Sequence, residues 1–412
     1  MANTIININE AASIVCKGMA QELVDNLKFV KSIDKVDESD FKGKNDFYAG
    51  NKLTVALPAR YIPENDFDIT SSSMESTEEQ KSMTLDIIKT VPMQFSSLEL
   101  ATEVGIKSTL NRFALPAARS IAQYFEQECL KRATQATYNL SGAAGSNSFT
   151  VADVLAGGTN LDEMLCPMDE RFFLTDSASG ALAVDARKGL FQSSTNIAEQ
   201  YKKGYMGEAD GFEWMKNQLI YTHTNGADVT GVTVNATATE AASTVSLTGL
   251  TISTTGIIKK GTVFTISGVN KVHPVTKTNT GKLQQFVVTA DANSDGSGVA
   301  TVSISPALYT ATSTTLQNIT ALPQSAANVV FSGAANTSYA QSLQYHPSAF
   351  RVATVPLEMP TAVEFAAQET VEGITVSLIR AFDVLQRRWI TRVDLLGGFL
   401  PVRAEWCNRV TA

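Results

Sequence analysis

Residues 259–288 read KKGTVFTISGVNKVHPVTKTNTGKLQQFVV. Apolar and polar residues alternate through GTVFTISGV and again through LQQFVV, the two-residue period of a half-buried strand. Outward on both sides the pattern recurs in STVSLTGLTI (243–252) and GVATVSISP (298–306), and Gly or Asn/Asp clusters separate the runs. From about Gly226 to about Ser338 the chain is rich in Thr, Ser, Ala, Val and Gly, with nine charged residues and no arginine. Short, evenly spaced strands of this kind predict a small all-β barrel or sandwich. Charge, arginine and helix-like patterning return after Ser342. The middle segment therefore reads as a β domain inserted into an α+β body, since loop tips tolerate insertion.

The flanks supply that body. Ile8, Ala12, Cys16, Met19, Leu23, Leu27 and Val30 recur at three- and four-residue steps, predicting a helix over 9–30 with Asn9 as N-cap. Leu53, Val55 and Leu57 alternate, as do Met83, Leu85, Ile87, Val91, Met93 and Phe95. The acidic stretch between them predicts an extended hairpin with little core of its own, which invites packing on a neighbouring molecule. The clearest helix is predicted over 117–139. Its stripe is Ala118, Ile121, Ala122, Phe125, Cys129, Ala133 and Ala136, with Pro116 at the first turn and Arg119, Gln123, Glu126, Gln127 and Lys131 off the stripe. Arg171 to Thr175 (RFFLT) reads as a buried strand, and Asp176 as the N-cap of the next helix. ITVSLIRAFDVLQRRWITRVDLLGGFLP (374–401) alternates up to a turn at Gly397–Gly398.

Composition narrows the functions. A chain of 412 residues exceeds the roughly 250–300 residues at which single cores stop growing. A net charge of −8 argues against a dedicated nucleic-acid binder, which would show a basic face. Cys16, Cys129, Cys166 and Cys407 have no metal-ligand spacing and read as small core residues in a reducing compartment. MANTIININE has neither a basic start nor a continuous apolar run, so no secretory signal is expected. No stretch reaches the roughly 20 apolar residues of a membrane helix.

Candidate chemistry is sparse. Asp291, Asn293 and Asp295 with Gly296 match the start of a calcium loop, but its twelfth position is Val302 and strands flank it, so a hairpin loop is the expectation. His223, His273 and His346 lie far apart, without HExxH. Asp169 and Glu170 are sequence neighbours whose side chains diverge on any regular element. Phosphate-loop, dinucleotide and hydrolase-elbow motifs are missing. No cofactor and no catalytic activity are expected. Glu75, Glu78 and Glu79 suit a contact with a basic patch on a neighbour. Arg387, Arg388 and Arg392 beside Trp389 suit an interface, with Arg392 and Asp394 on one face of a strand and able to pair.

The order of parts resembles the tailed-bacteriophage major capsid (coat) protein family with the Hong Kong 97-type capsid fold, in its short-tailed-phage branch with an inserted β domain. GYMGEADGFEWMKNQLI (204–220), the 259–288 run, YHPSAFRVATVPLEMP (345–360) and TRVDLLGGFLPVRAEWCNRV (391–410) carry the likeness. The resemblance implies an N-terminal arm (1–50), an extended loop (51–98) and a peripheral domain with a spine helix (99–149). It further implies an axial domain (150–225), the inserted domain (226–338), and a second axial part with a return to the peripheral sheet (339–412). It implies a major capsid protein that self-assembles, through hexamers and pentamers, into an icosahedral shell enclosing double-stranded DNA. Implied partners are scaffolding and portal proteins, packaged DNA by non-specific contact, and a decoration protein; no membrane contact is implied, and assembly takes place in the host bacterial cytoplasm. A tail-tube or other β-rich virion protein is the rival reading, opposed by the strong helix and the single β block.

Overall fold

The computed structural model describes residues 8–36, 52–57, 80–96, 106–145, 150–187, 207–311, 315–361, 363 and 365–411. Two compact units form: Met1–Val55 with Lys81–Cys129 and Phe350–Leu400, and Ala56–Gln80 with Leu130–Ala349 and Pro401–Ala412. Strands are numbered along the chain.

The first unit is built on β1 (Asp34–Lys35), β2 (Lys52–Ala56), β3 (Gln80–Ser96), β16 (Phe350–Thr354), β17 (Phe365–Val371), β18 (Ile374–Asp383) and β19 (Arg388–Pro401). Sheet order is β1-β16-β19-β18-β17, with β3 also on β19 and β2 on β3. A helix, Ile8–Asn26, lies against this sheet with Cys16, Met19, Ala20, Leu23 and Val24 buried. It starts before Asn9, which is therefore interior and not a cap, and it gives way at Leu27 to a 3-10 turn, Val30–Ser32. Beyond it Phe29 meets Phe350 edge to face at 5.8 Å, and Phe350 stacks on Phe399 at 5.5 Å.

The long helix runs Ile106–Ala136, well ahead of the predicted start, and Pro116 sits inside it. Proline removes one amide from the helix ladder without forbidding continuation when both flanks are held. Ala118, Ile121, Ala122, Phe125 and Cys129 form the buried stripe as expected, but Glu126 is buried too. Its Oε2 accepts the Lys28 amide at 2.7 Å, satisfying a backbone donor just past the end of the first helix.

The two strands predicted as an extended hairpin do pair, β2 on β3, but the pair does not stand alone. Its second strand, β3, pairs antiparallel with β19 from Ser96↔Arg388 to Leu85↔Gly398, so a sheet partner in the same chain supplies the support a lone hairpin lacks. The Gly397–Gly398 turn is also corrected. Both glycines lie within β19 at a register shift, and the turn comes earlier, at 384–387. There Asp383 Oδ1 accepts the Leu385 and Gln386 amides at 3.0 Å and 3.3 Å, and Arg387 takes φ +47°. An aspartate that turns the backbone through its own side chain needs no glycine or proline nearby.

The second unit contains β4 (Leu140–Ser141), β5 (Phe172–Thr175), β6 (Glu208–Ala209), β7 (Phe212–Lys216), β8 (Thr222–Thr224), β15 (Ser338–Tyr345) and β20 (Cys407–Thr411). The order is β4-β20-β15-β5-β7-β6, with β8 on β15. Helix Val151–Glu163 opens with a Thr150–Asp153 capping box. Helix Ser177–Arg187 has Asp176 accepting the Ala178 and Ser179 amides at 3.2 Å and 3.1 Å, as its N-cap role requires. Val154, Leu161, Cys166, Phe173, Ala183, Phe212, Trp214 and Val410 make the core between them.

Within this unit β9 (Thr233–Val234), β10 (Thr244–Thr248), β11 (Val263–Val272), β12 (Asn279–Val288), β13 (Ala300–Ser305) and β14 (Val329–Phe331) form a separate sheet. Its order is β14-β11-β12-β13-β10-β9. The outer strands also meet, through a Thr233↔Asn328 bridge and a 3.0 Å bond from the Val329 amide to the Val232 carbonyl. The sheet thereby closes on itself, which removes its exposed edges. Its core is drawn entirely from 232–331, with Val245, Leu247, Phe264, Ile266, Phe286, Val288 and Val302 at its centre. The fold is α+β with an inserted all-β, barrel-like domain. Phe350–Leu400 clusters with the long helix as far as Cys129, and Pro401–Ala412 with the second unit.

Candidate functional site

The calcium-like residues are turn builders. Asp291 Oδ1 accepts the Lys260 amide at 2.7 Å, and Asn293 Oδ1 the Gly256 amide at 2.6 Å. Asp295 Oδ1 accepts the Ser297 and Val299 amides at 2.8 Å and 2.9 Å; those amides, Val299 first, hold its carboxyl below the ordinary range. The three side chains thus cap three stretches of backbone and do not converge. Among the described residues no group of three or more His, Cys, Asp or Glu is placed to hold a metal. All four cysteines are buried. Burial pushes the Cys16 and Cys407 thiols up to about 12 and Cys166 up to about 11, which suppresses the reactive thiolate.

Of the interface residues read from sequence, Glu75, Glu78 and Glu79 lie outside the described residues. Arg387, Arg388 and Arg392 are spread along the β18–β19 hairpin, Arg387 in its turn and the other two on β19. Arg392 grips Asp394 with both arms, at 2.6 Å and 2.8 Å. Arg388 donates to Gln94 at 2.7 Å and lies 3.5 Å from Asp383. Trp389 packs between Phe382, at 4.8 Å, and the Arg380 guanidinium, at 4.6 Å. At the tip Val384 is 75% exposed and Leu385 96%. Reading 374–401 as one continuous alternation hid this tip; the signal available was Asp383 followed by four residues outside the alternation.

The polar groups that do converge join the barrel to the body of its own unit. Arg409 on β20 is fully buried. Its guanidinium donates to the Thr137 carbonyl, to the Gly261 carbonyl at 2.8 Å and to Gln341 Oε1 at 2.8 Å. Burial draws its pKa down to about 10, so it stays charged at neutral pH. The Gln285 amide takes the place of a strand beside β4, accepting from the Leu140 amide at 2.8 Å and donating to its carbonyl at 2.9 Å. Glu163 meets Lys271 at 3.2 Å and also Lys282. Burial works to raise its pKa, but the two ammonium groups outweigh that and hold it below its usual value. The Asn225 amide donates to the Ser332 carbonyl at 2.8 Å, and the Tyr339 hydroxyl donates to Asn225 Oδ1 at 3.0 Å, tying the two legs of the barrel together.

His223, on β8, belongs to the same seam, 3.2 Å from Thr262 Oγ1. Burial, followed by the charge of Arg409, pushes its pKa down from 6.5 to about 4. The unfolded state therefore binds the extra proton between these values, and stability falls as pH drops through that window, by up to about 1.4 kcal/mol per pH unit. Urea midpoints measured at pH 7 and pH 5 should show this loss, and His223→Gln should flatten it. His273 caps the Val275 and Thr276 amides, and His346 meets Trp406 edge to face, with centroids 5.7 Å apart.

One loop, 164–171, is held unusually firmly. The Leu165 and Cys166 amides bond back to the Asp162 and Leu161 carbonyls at 3.0 Å and 3.1 Å, the paired bonds of a Schellman stop. Arg171 binds the Pro167 and Cys166 carbonyls at 2.6 Å and 2.7 Å and Asp162 at 2.8 Å. Trp406 Nε1 donates to the Met164 carbonyl at 3.2 Å.

Buried polar groups here fasten the barrel to the body of its own unit, and the apolar residues at the β18–β19 tip and on the 164–171 loop are exposed on hydrogen-bonded turns. Such a molecule is a structural, self-associating subunit, of the class that builds virion shells. The chain belongs to the P22 coat protein family, described as P22 coat protein, gene protein 5, which it matches over residues 6–406. It is a major capsid protein, and copies of it form the phage shell. No curated protein matches it. Among solved structures it is similar to one from Mycobacterium phage Che8, at 10% identity over 93% of this chain and 90% of that one, TM-score 0.44. The capsid of Ralstonia phage GP4 is similar at 8% identity over 92% and 87%, TM-score 0.47. The CUS-3 coat protein I-domain is similar at 26% identity over 24% of this chain and 93% of that one, TM-score 0.18.

Proposed function

We propose that the chain builds hexamers and pentamers around a scaffolding protein in the host cytoplasm, meets a portal at one vertex, and encloses double-stranded DNA by non-specific contact. Its mechanism is geometric and not catalytic. The observation that carries this reading is the β18–β19 tip, where an aspartate-locked turn presents Val384 and Leu385 to solvent. Exposing such groups on a rigid turn disfavours a lone molecule and favours one with neighbours. In this reading residues 1–50 are the arm and 51–98 the extended loop, with Glu75, Glu78 and Glu79 meeting a basic patch on the next copy. The long helix with Phe350–Leu400 takes the peripheral part. The β4-β20-β15-β5-β7-β6 sheet takes the axial part, and 226–338 is the insertion, which seats a decoration protein.

Negative-stain electron microscopy of the bacterially expressed chain, alone and with its scaffolding protein, tests this. Closed shells of uniform size are expected. Tubes would favour a tail protein, and small monodisperse particles under both conditions would overturn shell building.

A further inference from the structure

We infer that the 164–171 loop is a preformed contact by which one copy docks on a second copy of this chain. The Schellman stop at the end of helix Val151–Glu163 needs a left-handed residue, and glycine is the usual one. Leu165 fills it, at φ +56°. The apolar contact that accompanies the motif is supplied by Cys166 and Leu161, both in the core, so the Leu165 side chain has no part in ending the helix. It is 50% exposed, and Met168, three residues on, is 78% exposed. Neither local backbone preference nor packing within the unit accounts for these two side chains, yet the loop beneath them is fixed by Arg171 and Trp406. A fixed loop loses little conformational freedom on binding, and methionine adapts to the surface it meets.

The occupant follows from two facts. This is a coat-family chain, so the lateral neighbours of each subunit are further copies of itself. The knob is also flanked by Asp169 and Glu170, both exposed. Two such loops facing each other would repel, so the loop meets a different, non-acidic face of the neighbour. That is a head-to-tail contact, the kind that closes rings.

This rests on the shell-building reading, and the test separates the two. Light scattering and electron microscopy would follow assembly of the wild type, Met168→Glu and Leu165→Gly, with thermal unfolding of the unassembled subunits alongside. The expected result is at least a ten-fold rise in the concentration needed for Met168→Glu to form shells, and a smaller rise for Leu165→Gly. Unfolding temperatures should be unchanged, or raised for Leu165→Gly, because glycine relieves the left-handed position. Wild-type assembly thresholds in both variants would overturn the proposal, as would impaired assembly that tracked a destabilised subunit in both. A wild type that formed no shells would count against shell building itself.

Discussion

Arg409→Met should yield little folded subunit at 37 °C, with a loss of about 3–5 kcal/mol in denaturant unfolding at lower temperature. The methionine would fill the space, but the Thr137 and Gly261 carbonyls and the Gln341 amide oxygen would lose their donor where no water replaces it. A backbone acceptor stranded in the interior costs its full desolvation. Arg409→Lys should recover only part of the loss, because one ammonium cannot reproduce a planar fork that serves three separated acceptors. Equal stability of wild type and Arg409→Met would show that the guanidinium is not what fastens β20 to the entry of the barrel.

Gly397→Val should be the second severe substitution, because a side chain there has nowhere to go. Even a Cβ at Gly397 would lie 2.6 Å from the Phe125 ring and 3.3 Å from the Ala353 carbonyl. Gly397→Ala should cost about 1–3 kcal/mol, the usual range for overpacking, and valine more. The decisive measurement is a double-mutant cycle: Phe125→Leu, itself destabilising, should give back part of the Gly397→Ala penalty. Strict additivity would mean that the ring is not the obstacle. Gly398 is equally confined, its Cβ position lying 2.7 Å from the Thr84 carbonyl, so the pair lets β19 pass close to both the long helix and β3.

That pair also marks the limit of what could be read in advance. Two adjacent glycines are the commonest sign of a turn, and close approach by a distant helix leaves no local trace. The barrel was legible because all its strands are neighbours in sequence and its core is made of alternating residues from one continuous stretch. The helix at 8–26 and the Asp176 cap were legible for the same reason. Glu126 and Arg409 were not, since their burial depends on acceptors and donors far away along the chain. The Arg392–Asp394 pair was visible because both lie on one face of one strand. The Val384–Leu385 tip was missed because a side-chain-made turn does not interrupt alternation with the residues that usually announce one.

The position of β20 carries a consequence for how the chain reaches its fold. Leu140 pairs with Arg409 and Phe173 shares a sheet with residues near 344, while the barrel closes within about a hundred residues. Local closures are fast, and distant ones must first overcome the entropy of a long loop. The barrel can therefore be finished while β4 and β15 still wait for the strand that belongs between them. During that interval Gln285 is already in place to occupy the outer edge of β4, leaving the inner edge as the side on which a second chain could pair by mistake. Dilute refolding should thus succeed where concentrated refolding aggregates, with the order of events set by topology and not by local stability.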